Sequence, residues 1–86
     1  VRALKDPSHS VRKYAWKSLL ERPYRETTGK AVRSVLGSST SPATRKMAVE
    51  YLGRHRGEPG ILESLQKASV SDPEPEVREA ARNILF

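Results

Sequence analysis

The sequence predicts an all-α solenoid, a superhelix of stacked helix pairs, and three observations predict it. Arg12, Arg45 and Arg78 stand at one fixed interval, as do Ala15, Ala48 and Ala81, and again Leu19, Leu52 and Leu85. A repeat of this length means one supersecondary unit that buries its apolar face only against its neighbours. Within each unit the apolar residues recur at helical spacing, and no alternating run of strand length occurs. Proline and glycine fall between these runs, at Pro7, Pro23, Gly37 to Pro42, Gly57 to Gly60 and Pro73, where helices would have to end.

Val1 and Leu4 fit the last turn of a helix that begins before the chain does, over residues 1–5. Asp6-Pro7 breaks it, because proline has no N–H and is tolerated only in a first turn. Ser8 or Ser10 then caps a helix running roughly from Ser8 to Glu21, with Val11, Ala15 and Leu19 on its buried stripe and Tyr14 and Ser18 beside them. Lys13 and Lys17 fall opposite. Pro23 ends this helix by excluding its predecessor from the helical region. Thr27 or Thr28 caps the second helix, which carries Ala31, Val32, Val35 and Leu36, and Gly37 is expected to stop it as a left-handed residue. After a polar connector, Thr40 or Ser41 caps a third helix with Pro42 in its first turn and Thr44, Met47, Ala48, Tyr51 and Leu52 on its stripe. Gly53 is expected to follow it. Ile61, Leu62, Leu65 and Ala68 give a short fourth helix, closed by Ser71-Asp72-Pro73. A fifth begins near Pro75 and buries Val77, Ala81, Ile84 and Leu85, with Glu74, Glu76 and Glu79 near its positive end.

The expected organisation is a single domain over 1–86. Residues 6–37 form one repeat, 38–70 a second, and 71–86 the first helix of a third. The chain starts at Val1 and stops inside a repeat, which reads as a piece of a longer protein. The third unit then lacks its covering helix, so the apolar end at Ile84-Leu85-Phe86 meets either that helix or a second copy of the chain.

Composition narrows the function. Hydrophobic residues make up 36 % of the 86, modest for a compact globule but enough for a stack whose units bury only mutual contacts. There is no cysteine, which removes disulfides and thiolate metal sites. No apolar run approaches the ~20 residues of a membrane span, and no signal-peptide pattern is present. A soluble chain is expected, with the cytoplasm as the default. The net charge of +6 is unevenly placed. Residues 1–56 hold 13 Lys and Arg against four acids, and residues 57–86 hold three against six. Such asymmetry marks a basic binding surface in some proteins and simple drift of solvated helix faces in others.

The phrase Asp-Pro-x-x-x-Val-Arg-x-x-Ala-x-x-x-Leu occurs at Asp6 to Leu19 and at Asp72 to Leu85. Arg45, Ala48, Leu52-Gly53, Gly57-Glu58-Pro59, Leu62 and Leu65 carry the pattern through the middle of the chain. These residues resemble the HEAT repeat, most closely the short HEAT-like version named after phycobilin lyases. The resemblance covers nearly the whole chain and implies a right-handed, armadillo-like superhelix of about two and a half units. It implies a polar ladder between units, built from Asp6, Asp72, Arg12, Arg45 and Arg78. Ser39 stands where the middle unit's Asp is expected and Thr44 where its Val is expected, which leaves that rung in doubt. Trp16 takes a position held by Val49 and Arg82 in the other units, and either fills the junction between units or lies exposed. The resemblance also places the second helices on the concave side, making Lys30, Arg33 and Ser34, and Glu63, Gln66 and Lys67, the expected partner contacts.

No residue pattern points to catalysis, a cofactor or a metal. His9 and His55 stand at helix ends or turns without acids at ligand spacing. Glu74, Glu76 and Glu79 are explained as helix-start acids, Gly57 and Gly60 flank a turn rather than a phosphate loop, and Ser38 to Ser41 have no base partner. Nucleic-acid binding is the serious alternative, through Lys13, Lys17 and Lys46 on first helices, Lys30 and Arg33 on a second, and Arg54 and Arg56 on a turn. Aromatic residues, at 6 %, are too few for a base-stacking platform. Membrane-surface attachment would need an apolar helix face that the core already uses. The sequence reading is therefore a non-enzymatic scaffold that presents a helical surface to another protein or to another domain of its parent chain.

Overall fold

The computed structural model describes residues 9–86, with side chains from Lys13, as five α-helices: α1 His9–Leu20, α2 Glu26–Ser38, α3 Pro42–Arg54, α4 Ile61–Ser71 and α5 Pro75–Leu85. There is no strand among the described residues. α3 lies between α1 and α5 in one layer, and α2 and α4, in contact with each other, pack on it as a second. The thinnest dimension is 17 Å, which fits two helix layers at the usual ~8–10 Å spacing and excludes a third. The architecture is the expected one, a HEAT-like stack of helical hairpins.

α3 touches all four other helices, and its sequence shows why it can. Thr44, Arg45, Ala48, Val49, Tyr51 and Leu52 are buried around most of its circumference, leaving the Pro42, Ala43, Lys46, Glu50 and Arg54 side in water. Ala48 and Ala81 are fully buried, and their small side chains allow α3 and α5 to approach closely. The rest of the core is Val32, Val35 and Leu36 from α2, Ile61, Leu65 and Ala68 from α4, Val77 from α5 and Trp16 from α1. Trp16 is 2 % exposed and lies tilted against Tyr51 with ring centroids 6.4 Å apart, so it fills the junction between α1 and α3.

Local signals set most of the helix ends. Ser41 caps α3, its hydroxyl accepting from the Thr44 N–H at 3.3 Å, and Pro42 follows in the first turn. Pro75 does the same for α5. Gly60 precedes α4 at φ +79°, a left-handed conformation that a Cβ would strain. An added Cβ there would also collide with the Arg33 guanidinium.

Several expectations need correction. Gly37 does not stop α2: the helix continues to Ser38, and the extended Ser39 closes it by donating its N–H to Val35 O. Gly53 lies within α3 rather than after it, and the Cβ it lacks leaves room for Ile84 of α5 to pack over its Cα. Neither Thr27 nor Thr28 caps α2, which starts at Glu26 after Arg25 with no side-chain cap bond. Tyr14 and Leu62 are not core residues, being 74 % and 47 % exposed. On α1 and α4 the buried stripe is narrower than the apolar residues in the sequence imply. Ile84 and Leu85 are half-buried against the core and Phe86 is exposed, while the outer side of α5 carries Glu76, Glu79, Arg82 and Asn83. Ser10 lies inside α1. The helix end over 1–5, the Ser8 cap, Asp6 and the Arg12 side chain lie outside the described residues.

Candidate functional site

Two turns of the same construction bring α2 to α3 and α4 to α5. In the first, Ser39 Oγ accepts from the Ser41 N–H at 3.2 Å and Ser39 O accepts from Arg45 Nη1–H at 2.8 Å. In the second, Asp72 Oδ1 accepts from the Glu74 N–H at 2.9 Å and Asp72 O accepts from Arg78 Nη1–H at 2.6 Å. Each first residue fixes the turn with its side chain and anchors its own unit's arginine with its carbonyl. The serine in the middle unit therefore does the aspartate's local work.

The two turns are joined by one ion pair. Arg45 Nε–H donates to Asp72 Oδ2 at 3.0 Å and Nη2–H donates to Oδ1 at 3.3 Å, both side chains being more than nine-tenths buried. The arginine fork matches the carboxylate edge, which makes the pair bidentate. Arg45 thus bonds its own turn and the next, and fixes the angle between successive hairpins.

Beside this pair α2 and α4 diverge to leave a cleft of about 350 Å³. Arg33 reaches it from α2 and Lys67 from α4. Ser64, Lys67, Ala68 and Ser71 line it at helical spacing along one side of α4. Ser38, Ser39 and the Arg45–Asp72 pair close one end. Arg33 Nε is buried and has no acceptor among the described residues. Of the six expected contact residues, the structure brings Arg33 and Lys67 together in this cleft. Lys30, Ser34, Glu63 and Gln66 are exposed on the same two helices outside it. Ser39 and Ser71 were not legible as cleft residues, because a serine at a helix end reads as a cap or a linker, and Ser64, within α4, reads as an ordinary solvated residue. The spacing of 64, 67, 68 and 71 is the one signal that could have found the α4 wall.

A second feature sits between the α1–α2 turn and the end of α3. The His55 ring lies between Tyr24 and Tyr51, with centroids 5.1 and 4.9 Å away, and Tyr51 in turn meets Trp16. Burial, with a smaller contribution from the neighbouring Tyr24 phenol, raises the Tyr51 pKa above its ordinary value of 10.0. His55 Nε2 and Trp16 Nε1 are buried without partners among the described residues. These rings are packed on one another as core and hold no nucleophile beside a base. Among the described residues no three His, Cys, Asp or Glu side chains come together to hold a metal ion, and no helix is long and apolar enough to cross a membrane.

Side-by-side hairpins, turns repeated with the same bonds, and a buried rung from one turn to the next define the class: a helical-repeat solenoid. The family model for HEAT repeats matches residues 1–85, and the chain belongs to that family. A search of curated proteins and a search of solved structures each found no match. HEAT repeats commonly mediate contacts between proteins.

Proposed function

We propose that this chain is a non-enzymatic binding segment that offers its α2–α4 face to another protein or to another domain of its parent chain. The observation that carries this reading is that Arg33 and Lys67, on second helices of successive units, line one cleft on that face. Such a surface exists only when hairpins stack, and stacked repeats use it for extended contacts. In this reading residues 6–37 and 38–70 are two units and 71–86 opens a third. Lys30, Arg33 and Lys67 outnumber Glu63 among the six contact residues, so the face suits a partner segment rich in acids.

Nucleic acid is the competing ligand, on the strength of the basic residues before position 57. Its candidate cations are divided between the layers: Lys13, Lys17 and Lys46 belong to α1 and α3, as does Arg54, which ends α3 instead of lying on the turn, while Lys30 and Arg33 belong to α2 and Arg56 follows α3 and donates to Ile84 O. A duplex backbone cannot follow both layers at once. The test compares K30E/K67E with K13E/K17E against an acidic peptide and a DNA duplex over a salt series. Peptide binding lost only in K30E/K67E supports the proposal. Duplex binding that falls steeply with salt, and is lost in K13E/K17E, overturns it.

A further inference from the structure

We propose that the open side of α5 is a second docking surface, separate from the α2–α4 face, and that it takes an acidic amphipathic helix of a partner protein.

Two equivalent helices, compared residue by residue, carry the argument. On α3, Arg45, Val49 and Leu52 form one stripe and all three are buried. Their counterparts one repeat later, on α5, are Arg78, Arg82 and Leu85. These share one side of the helix, at i, i+4 and i+7. Yet Arg82 is exposed, and Arg78 and Leu85 are only half-buried. α3 has α5 packed beside it, whereas no described element packs beyond α5.

The arginines define what can cover this stripe. Arg45 uses Nη1–H on its own turn and gives its Nε and Nη2 edge to the Asp72 carboxylate. Arg78 holds its own turn in the same way, through Nη1–H to Asp72 O at 2.6 Å. Its Nε and Nη2 edge has no acceptor among the described residues. The guanidinium is thus already anchored as Arg45 is, with the edge that takes a carboxylate bidentately left open. Arg82 lies one turn on, in the register of the fully buried Val49. A purely apolar neighbour would leave that cation buried and unpaired, which costs several kcal/mol per ion. Glu74 and Glu79 stand near these arginines in sequence, but neither forms an ion pair among the described residues.

Two cations one turn apart call for two carboxylates at the same interval, which one face of a helix supplies at i and i+4. The far end of the surface sets the rest of the partner. α4 and α5 are joined by a short turn and run antiparallel, so the start of α4 lies beside the end of α5. There Leu62 and Phe86 are exposed and Leu85 is half-buried. Acids facing Arg78 and Arg82, followed by apolar side chains facing Leu85, describe an amphipathic helix. A nucleic-acid backbone would leave the apolar end uncovered.

The experiment adds a synthetic amphipathic helix, with glutamates four apart beside a leucine face, to the whole 86-residue chain labelled with 15N and 13C. The control peptide has glutamine in place of each glutamate. The glutamate peptide should move the Arg78 and Arg82 Nε–H resonances and the Leu85 methyls, and should bind about fivefold or more tightly than the control. R82Q should shrink that ratio, and R78Q/R82Q should bring it to one. Arg82 is exposed, so R82Q leaves the core undisturbed. The α5 shifts should persist in K30E/K67E, which separates this surface from the α2–α4 face. Equal binding of the two peptides overturns the proposal, as does a glutamate peptide that moves only α2 and α4 resonances. So do α5 shifts that appear on concentrating the chain alone, because a second copy would then be the occupant. A DNA duplex that moves Arg78 and Arg82 but not Leu85, with no response to the peptide, would assign the surface to nucleic acid and overturn it as well.

Discussion

Replacing Asp72 by alanine probes the rung that fixes one hairpin on the next. The substitution takes two of Arg45's three hydrogen bonds, at 3.0 and 3.3 Å, and leaves only the one to Ser39 O. It also deprives the Glu74 N–H of its acceptor. Breaking a buried ion pair from one side costs about 3–5 kcal/mol, because the other charge stays buried without its counterion. Arg45 borders the cleft, where water can partly replace the carboxylate, so the lower end applies and D72A should lose about 3 kcal/mol. A domain of this size is stable by roughly 4–13 kcal/mol. At ~4–8 °C per kcal/mol the melting temperature should fall by about 12–24 °C. The control is R45M/D72N, which removes both charges while the amide oxygen still accepts from Glu74; it should remain within about 1 kcal/mol of the parent. Urea denaturation followed by circular dichroism, at low and high salt, measures all three. A D72A loss below about 1 kcal/mol that shrinks with added salt would show a solvated surface pair and refute the reasoning.

Three further outcomes follow from local geometry. Gly37 is helical with nothing within 4 Å of a Cβ, so G37A should stabilise the fold by up to ~1 kcal/mol in denaturant titration, whereas a left-handed stop would make it destabilising. A Cβ on Gly53 would meet Ile84 Cδ1 at 2.5 Å, so G53A should cost about 1–2 kcal/mol of overpacking despite its better helix propensity. In an I84A background the same change should become neutral or favourable, and additive effects would contradict the contact. Tyr51 should ionise above pH 10, read as the difference in phenolate absorbance between the parent and Y51F. Because its folded pKa is raised, Tyr51 contributes stability that is present below pH 10 and lost as pH climbs through the folded value. Y51F should therefore lose less stability than the parent over that alkaline window.

The architecture was legible because its causes are local or periodic. Ala15, Ala48 and Ala81 share one spacing because each marks a first helix that must lie close to its neighbour. Pro42 and Pro75 announce helix starts that no tertiary contact can move. Glycine was the poorer guide. Gly53 looks like a stop in one dimension, and only the approach of Ile84 shows that its missing Cβ serves packing between units. Trp16 was ambiguous for the same reason, since Tyr51, which covers it, arrives from another helix. The ladder residues were recognisable by type, yet which arginine meets which acid depends on how two turns face each other. The cleft was the least legible feature. Arg33 and Lys67 were expected on the surface, but the space between them depends on how far apart α2 and α4 run.

The central claim is that α1, α3 and α5 lie side by side and so carry α2 and α4 onto one face. Nuclear Overhauser contacts test it most directly, from the Trp16 indole to the Tyr51 ring and from the Gly53 Hα protons to the Ile84 δ-methyl. The account predicts both, each linking residues more than thirty positions apart. A spectrum in which Gly53 sees no Ile84 methyl, and Trp16 contacts only its own hairpin, would contradict the stack and with it the α2–α4 surface.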